Sequence, residues 1–335
     1  MDSLTHIAIG ACLGEGFAGN RIGKKAMLWG ILAHSLPDID IVATFWMPLT
    51  NELIAHRGFT HSILFVILIS PVLAIIAKRF HKGRISFTSW LLFFLLATGL
   101  HIFLDAFNNY GTGWFEPFSH TRISFNTVYV VDPLFSIWSV IALAVLIFTS
   151  FKNKIRGFIW KFGLIMTTFY LGYCCVNKLI IDAAFRNELK RKNITENKYF
   201  TTPAPLQNWL WFVVAKQDSG FYTGYKSVFH PNRKDTLSYF PQNNKLLNEY
   251  KNDEDVKNLK RFSQGFYTVS NYHDTLVFND LRFGQQAGWF EPHANFAFYF
   301  YLKDSADNSV VVQRGRFKGI NKRSLKVFKQ KIFNK

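Results

Sequence analysis

The sequence predicts an α-helical transmembrane bundle of about six membrane segments, the first two short or re-entrant, followed by a β-rich soluble domain. Three observations predict it. Long apolar runs fill the first half of the 335 residues and are almost missing from the second. Basic and nearly neutral connections alternate between those runs. From about residue 187 the chain turns to short stretches rich in aromatic and β-branched residues, separated by turn signals. The expected domains are therefore 1–186, a helical membrane domain, and 187–335, β-rich with a basic C-terminal tail.

Four segments are apolar enough, and about long enough, to span a hydrocarbon core: 58–77, 89–107, 133–151 and 157–181. Two weaker ones precede them, 4–17 and 26–45. The first is about fourteen residues long, below the length a span needs, and it contains Glu15. Arg21, Lys24 and Lys25 lie between the first and second segments. Lys78, Arg79, Lys82 and Arg84 lie between the third and fourth, and Lys152, Lys154 and Arg156 between the fifth and sixth. The loops 46–57 and 108–132 carry a single arginine each, Arg57 and Arg122. The positive-inside rule then makes the basic loops cytoplasmic and both termini extracytoplasmic. The basic run 186–192 opposes that orientation, although a long following domain weakens the rule. The N-terminal ten residues lack the basic flank and apolar core of a cleaved signal, so targeting is expected through an uncleaved helix. The chain reads as a multi-pass protein of the cytoplasmic membrane.

In the second half, 209–215, 221–229, 265–269, 275–278, 296–302 and 309–313 read as strands, and 243–262 as a charged helix or exposed loop. The pentapeptide Gly-Trp-Phe-Glu-Pro occurs at Gly113 and again at Gly288, but the flanks do not match and no period follows. The net charge of +17 is spread over short loops and the tail 314–335 rather than gathered on one reading element. Membrane lipids are the simpler partner and no nucleic acid is expected. The three cysteines, Cys12, Cys174 and Cys175, lie in apolar stretches without the spacing of a thiolate zinc site.

Chemistry concentrates in histidine and aspartate. Asp2 and His6, His34 and Asp38, and His101 and Asp105 are each four residues apart, which on a helix puts both side chains on one face. Asp40 follows Asp38 in the same element, and His56 and His61 bracket a turn at Gly58. An alternating bundle brings all these helix ends to the side of the neutral loops. Ionisable groups beside membrane segments are costly, so their convergence argues for a shared cation. The candidate ligands are His6, Asp38, Asp40, His56, His61, His101 and Asp105, with Asp2 and His34 as weaker members or supporting partners. Imidazole and carboxylate without thiolate favour zinc, with manganese or iron as alternatives. The set exceeds the needs of one tetrahedral ion, and two or three ions bridged by an aspartate account for it. Arg57 and Asp40 are the candidate catalytic residues. Arg57 would hold a phosphate or carboxylate oxygen of the substrate, while Asn108, Tyr110, Arg122 and Asp132 shape the pocket.

The runs Asp2-Ser-Leu-Thr-His6, Pro37-Asp-Ile-Asp40, His56-Arg-Gly-Phe-Thr-His-Ser62 and His101-Ile-Phe-Leu-Asp105 resemble the membrane-bound metal-dependent hydrolases of bacterial inner membranes. The resemblance continues through Tyr110-Gly-Thr, Pro117-Phe-Ser119, Arg122 and Val131-Asp-Pro-Leu134, and covers about residues 1–185. It implies hydrolysis. A more distant similarity of the His-x-x-x-Asp arrangement points to zinc-dependent phospholipases C and related single-strand nucleases, from which this chain departs in its membrane spans. The expected activity is attack of a metal-activated water on an ester or phosphoester, in a small-molecule or lipid substrate, at the outer face of the cytoplasmic membrane. The competing expectations are a transporter or metal-handling protein, and a membrane-anchored interaction protein in which the metal only staples the helices.

Overall fold

The computed structural model describes residues 1–196, 198–250, 253–302 and 320–334. The chain divides into two compact units, one formed by 1–45 and 55–174, the other by 46–54 and 175–335.

The first unit is helical. α1 (Ser3–Ile22) and α2 (Lys25–Ser35) form a tight antiparallel hairpin around Gly23, whose φ of 62° is open to glycine at little cost. Small residues allow the two backbones to touch. A Cβ on Gly30 would overlap the carbonyl oxygen of Gly10, and one on Gly14 that of Ala26. α1 is 20 residues long, six more than the apolar run 4–17, and Glu15 lies inside it rather than at its end. The charge is matched: Arg156 donates from Nε and Nη2 to the two Glu15 oxygens, each at 2.7 Å, and from Nη1 to the carbonyls of Leu146 and Thr149. Arg156 is thus a buried partner and not one of the free loop charges.

After Ser35 the helix tightens into a 3-10 segment, Leu36–Phe45, and a short α3 (Leu49–Ala55) follows. Ser62 caps α4 (Ile63–Phe80) by accepting from the Phe65 amide at 3.0 Å, and Ser86 caps α5 (Phe87–Asp105) in the same way. α6 spans Pro133–Phe148 and α7 spans Ile155–Arg191. Among the described residues, α4, α5 and α7 are the helices long and apolar enough to cross a membrane. α6 has only 16 residues, about 24 Å of rise. The structure therefore holds three clear spans where the sequence suggested about six segments. α2 falls short because Pro37 stops the α-helical register after 11 residues.

The second unit carries two antiparallel sheets. The first has the order β1 (Lys198–Pro203), β2 (Leu210–Lys216), β3 (Gly220–Ser227) and β4 (Ser238–Pro241). The second has the order β5 (Tyr267–Tyr272), β6 (Thr275–Gln285) and β7 (Phe296–Tyr301). β2 is apolar at six consecutive positions because both its faces are covered. Trp211, Val213 and Ala215 pack with Ile181, Phe185 and Leu189 of α7, whereas Leu210, Phe212 and Val214 join the core of Phe221, Phe266, Leu281 and Trp289. The two short edge strands β1 and β4 carried no strong strand signal, and the expected strand 309–313 lies outside the described residues. The charged stretch 243–262 resolves into a 3-10 turn and α8 (Glu254–Phe262), which buries Val256, Leu259 and Phe262 on one face. Thr50 donates to Asp255 and Asn258 to Asn51, so the segment 46–54 is tied within this unit. The tail contains α9 (Lys322–Phe333), whose Phe328 meets Trp289 at 4.8 Å between rings. The two Gly-Trp-Phe-Glu-Pro copies fall in different units, each at a turn.

Candidate metal centre

Four side chains from distant parts of the first unit meet in one buried group. Asp38 comes from the 3-10 segment, His61 from the single turn Phe59–His61 before α4, and His101 and Asp105 from the last turns of α5. One donor atom of each lies within 4.8 Å of all the others. His61 Nε2 is 3.2 Å from His101 Nε2, 3.4 Å from Asp105 Oδ2 and 3.5 Å from Asp38 Oδ1. His101 Nε2 is 3.6 Å from Asp38 Oδ1 and 3.9 Å from Asp105 Oδ2. Donors about 2.05 Å from a central tetrahedral ion stand roughly 3.3 Å from one another, so these separations fit a single small divalent cation. A second observation agrees. Asp105 Oδ2 is fully buried and, among the described residues, makes no hydrogen bond of regular geometry; its charge is met by Arg57 Nε at 3.2 Å and by the two imidazoles.

The imidazoles are aimed by their other nitrogens. His101 Nδ1 donates to the carbonyl of His34 at 2.6 Å, which leaves the lone pair of Nε2 facing the group. His61 Nδ1 lies 3.3 Å from Asp40 Oδ2 and turns its Nε2 inward in the same manner. Asp40 is occupied on every side: His56 Nδ1 at 2.9 Å, the Arg57 amide at 2.8 Å and Thr60 Oγ1 at 2.8 Å. Asp40 and His56 therefore stand one contact removed from the four-residue group, with Asp40 positioning His61. Thr60, which no spacing argument singled out, shares that task.

The electrostatics follow from the packing of these loops outside the spans. Burial disfavours a charged Asp38, but hydrogen bonds from His101 and His61 outweigh it and hold the carboxyl well below the usual range. Asp40 is likewise depressed by His56 and His61 against the opposing effect of burial. Burial alone would lower His61, yet its contacts with Asp105, Asp38 and Asp40 raise it to about 10. For His56, which is 31% exposed, burial wins over Asp40 and the ring is pushed down.

The remaining candidates are placed as follows. His6 Nε2 is 3.1 Å from Asp105 Oδ1, and its ring lies 3.9 Å from that of His101, so it adjoins the group. His34 turns its Nδ1 to the Ala97 carbonyl at 2.7 Å and contributes its own carbonyl to His101. Asp2 is not brought into the group. It caps α1, accepting from the Thr5 amide at 3.0 Å and the Thr5 hydroxyl at 2.6 Å, a role that Asp before an apolar helix signals directly. Arg57 is buried, not interfacial. Its Nε is 3.2 Å from Asp105 Oδ2, and its guanidinium lies 5.1 Å from the Tyr110 ring centre. Its φ of 60° is unusual for a residue other than glycine and is enforced from both sides, by Asp40 on the amide and the Gly113 amide on the carbonyl. Arg122 donates to the His56 carbonyl at 2.9 Å and Asn108 Oδ1 accepts from the Tyr110 amide, so both brace these loops. Asp132 caps α6 and accepts from Tyr170, away from the group.

Residues 1–181, which include every candidate ligand, match the YdjM inner membrane protein family. The uncharacterized protein YfhP of Bacillus subtilis (strain 168) is 26% identical over 304 residues, 84% of this chain and 87% of that protein. The inner membrane protein YbcI of Escherichia coli (strain K12) is 28% identical over 143 residues, 42% of this chain and 75% of that protein. No solved structure matches the chain. With its apolar helices and a family match over more than half its length, the chain belongs to the YdjM inner membrane protein family and resides in the inner membrane.

Proposed function

We propose that this protein is a membrane-bound, zinc-dependent hydrolase of ester or phosphoester bonds. The observation that carries the reading is the convergence of Asp38, His61, His101 and Asp105 on one buried point. The resemblance of their motifs to metal-dependent hydrolases, and more distantly to phospholipases C, supports it. When bound, the ion supplies Lewis acidity toward the substrate and lowers the pKa of a coordinated water. Manganese and iron are the alternative ions for such a donor set. Asp105 faces His6 and the Met1 amine with one oxygen and His61 and His101 with the other, and a second ion with His6 among its ligands would replace that amine contact.

The chain's own residues supply the rest. Asp40 holds the proton of His61 Nδ1 and keeps Nε2 available. Among the described residues Arg57 Nη1 donates to no acceptor, and it orients an anionic substrate oxygen. The group is closed by protein except near Asp38 and His56, 20% and 31% exposed, and that side admits substrate. Exposed Ile39, Ile41, Val42 and Phe59 lie close in the chain to Asp38 and His56, apolar neighbours suited to a lipid substrate. The neutral loops support an extracytoplasmic position for the site. The hydrogen bonds that hold segment 46–54 within the second unit support a common compartment for that loop and the β-sheets.

The test is turnover by the purified, zinc-loaded protein in detergent. Substrates are phosphatidylglycerol, phosphatidylcholine, bis(p-nitrophenyl) phosphate and p-nitrophenyl acetate. Hydrolysis of at least one, abolished by chelation or by His101→Ala with the helical content unchanged, is the expected result. Full zinc occupancy without turnover on any of them would favour the structural staple or metal handling instead.

A further inference from the structure

A cavity lies at the far end of the helices from the metal centre. α4 begins two residues after His61 and ends at Phe80, a rise of about 27 Å over its 18 residues. There, Lys25, Leu28, Trp29, Leu32, Phe80 and His81 line a cleft of about 370 Å³. Its lower wall is apolar and exposed where the bilayer would be: Leu28 is 65% exposed, Leu32 43% and Phe80 76%. Its upper wall is polar and positive. Trp29 Nε1 donates to His81 Nε2 at 2.8 Å, so the neutral His81 ring carries its proton on Nδ1. Lys24 is engaged with the Ile147 carbonyl, whereas the neighbouring Lys25 has no acidic partner among the described residues. Arg84 and Lys25 both act on His81, which marks this corner as cationic.

We infer that this cleft binds one anionic phospholipid, its phosphate against Lys25 and His81 and an acyl chain along Leu28, Leu32 and Phe80. The charge complementarity selects the head group. The exposed leucines and Phe80, continuous with the lipid-facing surface of α4, select a lipid over a free anion. Trp29 stands at the boundary between the two, the depth at which indole rings concentrate in membrane proteins. The site is independent of the hydrolytic reading, because none of its residues touches the metal centre.

Native mass spectrometry of the full-length protein in mild detergent tests this. The probes are phosphatidylglycerol and phosphatidylcholine of identical acyl chains, with inorganic phosphate as a third arm. The first phosphatidylglycerol should bind more tightly than phosphatidylcholine. Lys25→Ala should weaken it about fivefold to tenfold while leaving phosphatidylcholine unchanged. Lys154→Ala, an exposed lysine in another basic loop, should have no effect. Leu28→Trp, which fills the cleft without altering charge, should weaken the first lipid as well, and provides the test if Lys25→Ala does not fold. Equal binding of the two lipids, full retention in both cleft variants, or displacement by millimolar inorganic phosphate would each overturn the inference.

Discussion

His101 donates from Nδ1 to the carbonyl oxygen of His34 at 2.6 Å, so the backbone at the end of α2 sets the direction in which a ligand on α5 points. The side chain of His34 plays no part in that contact. His34→Ala should therefore keep most of the metal affinity, whereas His101→Ala, Asp38→Ala or Asp105→Ala should abolish stoichiometric binding. Metal content by plasma mass spectrometry after dialysis separates these outcomes. Zinc retained at wild-type level in His101→Ala would show that the ion is held elsewhere.

Asp40 holds His61 from behind without joining the four-residue group. Asp40→Asn keeps the shape and loses the charge, and should weaken zinc affinity about tenfold to a hundredfold without abolishing it. Competition against a chromophoric chelator measures this. A complete loss would put Asp40 among the ligands themselves.

The metal-free His61 ring is raised to about 10 by its three carboxylate neighbours, so at neutral pH it holds a proton that an incoming ion must displace. Lowering the pH makes displacement harder. Apparent zinc affinity should rise with pH, about tenfold per unit between pH 6 and 8, and level off only as pH approaches the value for His61. Titration calorimetry in buffers of different ionisation enthalpy should show about one proton released per ion. Affinity independent of pH over this range would contradict the arrangement.

Glu15 and Arg156 form a buried, bidentate pair between α1 and α7. Removing either partner alone leaves an uncompensated charge, at a cost of about 3–5 kcal/mol. Glu15→Ala and Arg156→Ala should each lower the unfolding temperature in detergent substantially. The double replacement Glu15→Leu with Arg156→Met should recover most of that loss. Single variants as stable as wild type would show the pair to be dispensable.

Gly30 lies where a Cβ would overlap the Gly10 carbonyl oxygen, and backbone cannot yield as a side-chain tip can. Gly30→Ala should cost about 1–3 kcal/mol or more and weaken metal binding, because α2 carries the carbonyl that aims His101. Gly157, with open space around it, is the control, since Gly157→Ala should not destabilise. Equal effects at both positions would refute the close approach of α1 and α2.

The sequence by itself determined the helical and β-rich halves and the residue types of the centre, because hydrophobic periodicity and i,i+4 spacing are local properties. His101 and Asp105 stay inside α5, so their shared face survives folding and both enter the group. The other two pairs share that spacing and separate. α2 ends at Ser35, and the 3-10 segment that follows turns 120° per residue, so Asp38 leaves the face that carries His34. Asp2 sits just outside α1, where free amides of the first turn claim its carboxylate. The Glu15–Arg156 pair, separated by 141 positions, and the role of Asp40 behind His61 left no local trace. Such contacts are decided only in the tertiary structure, because which acid meets which base depends on how helices pack, and no spacing along one helix encodes a neighbour on another.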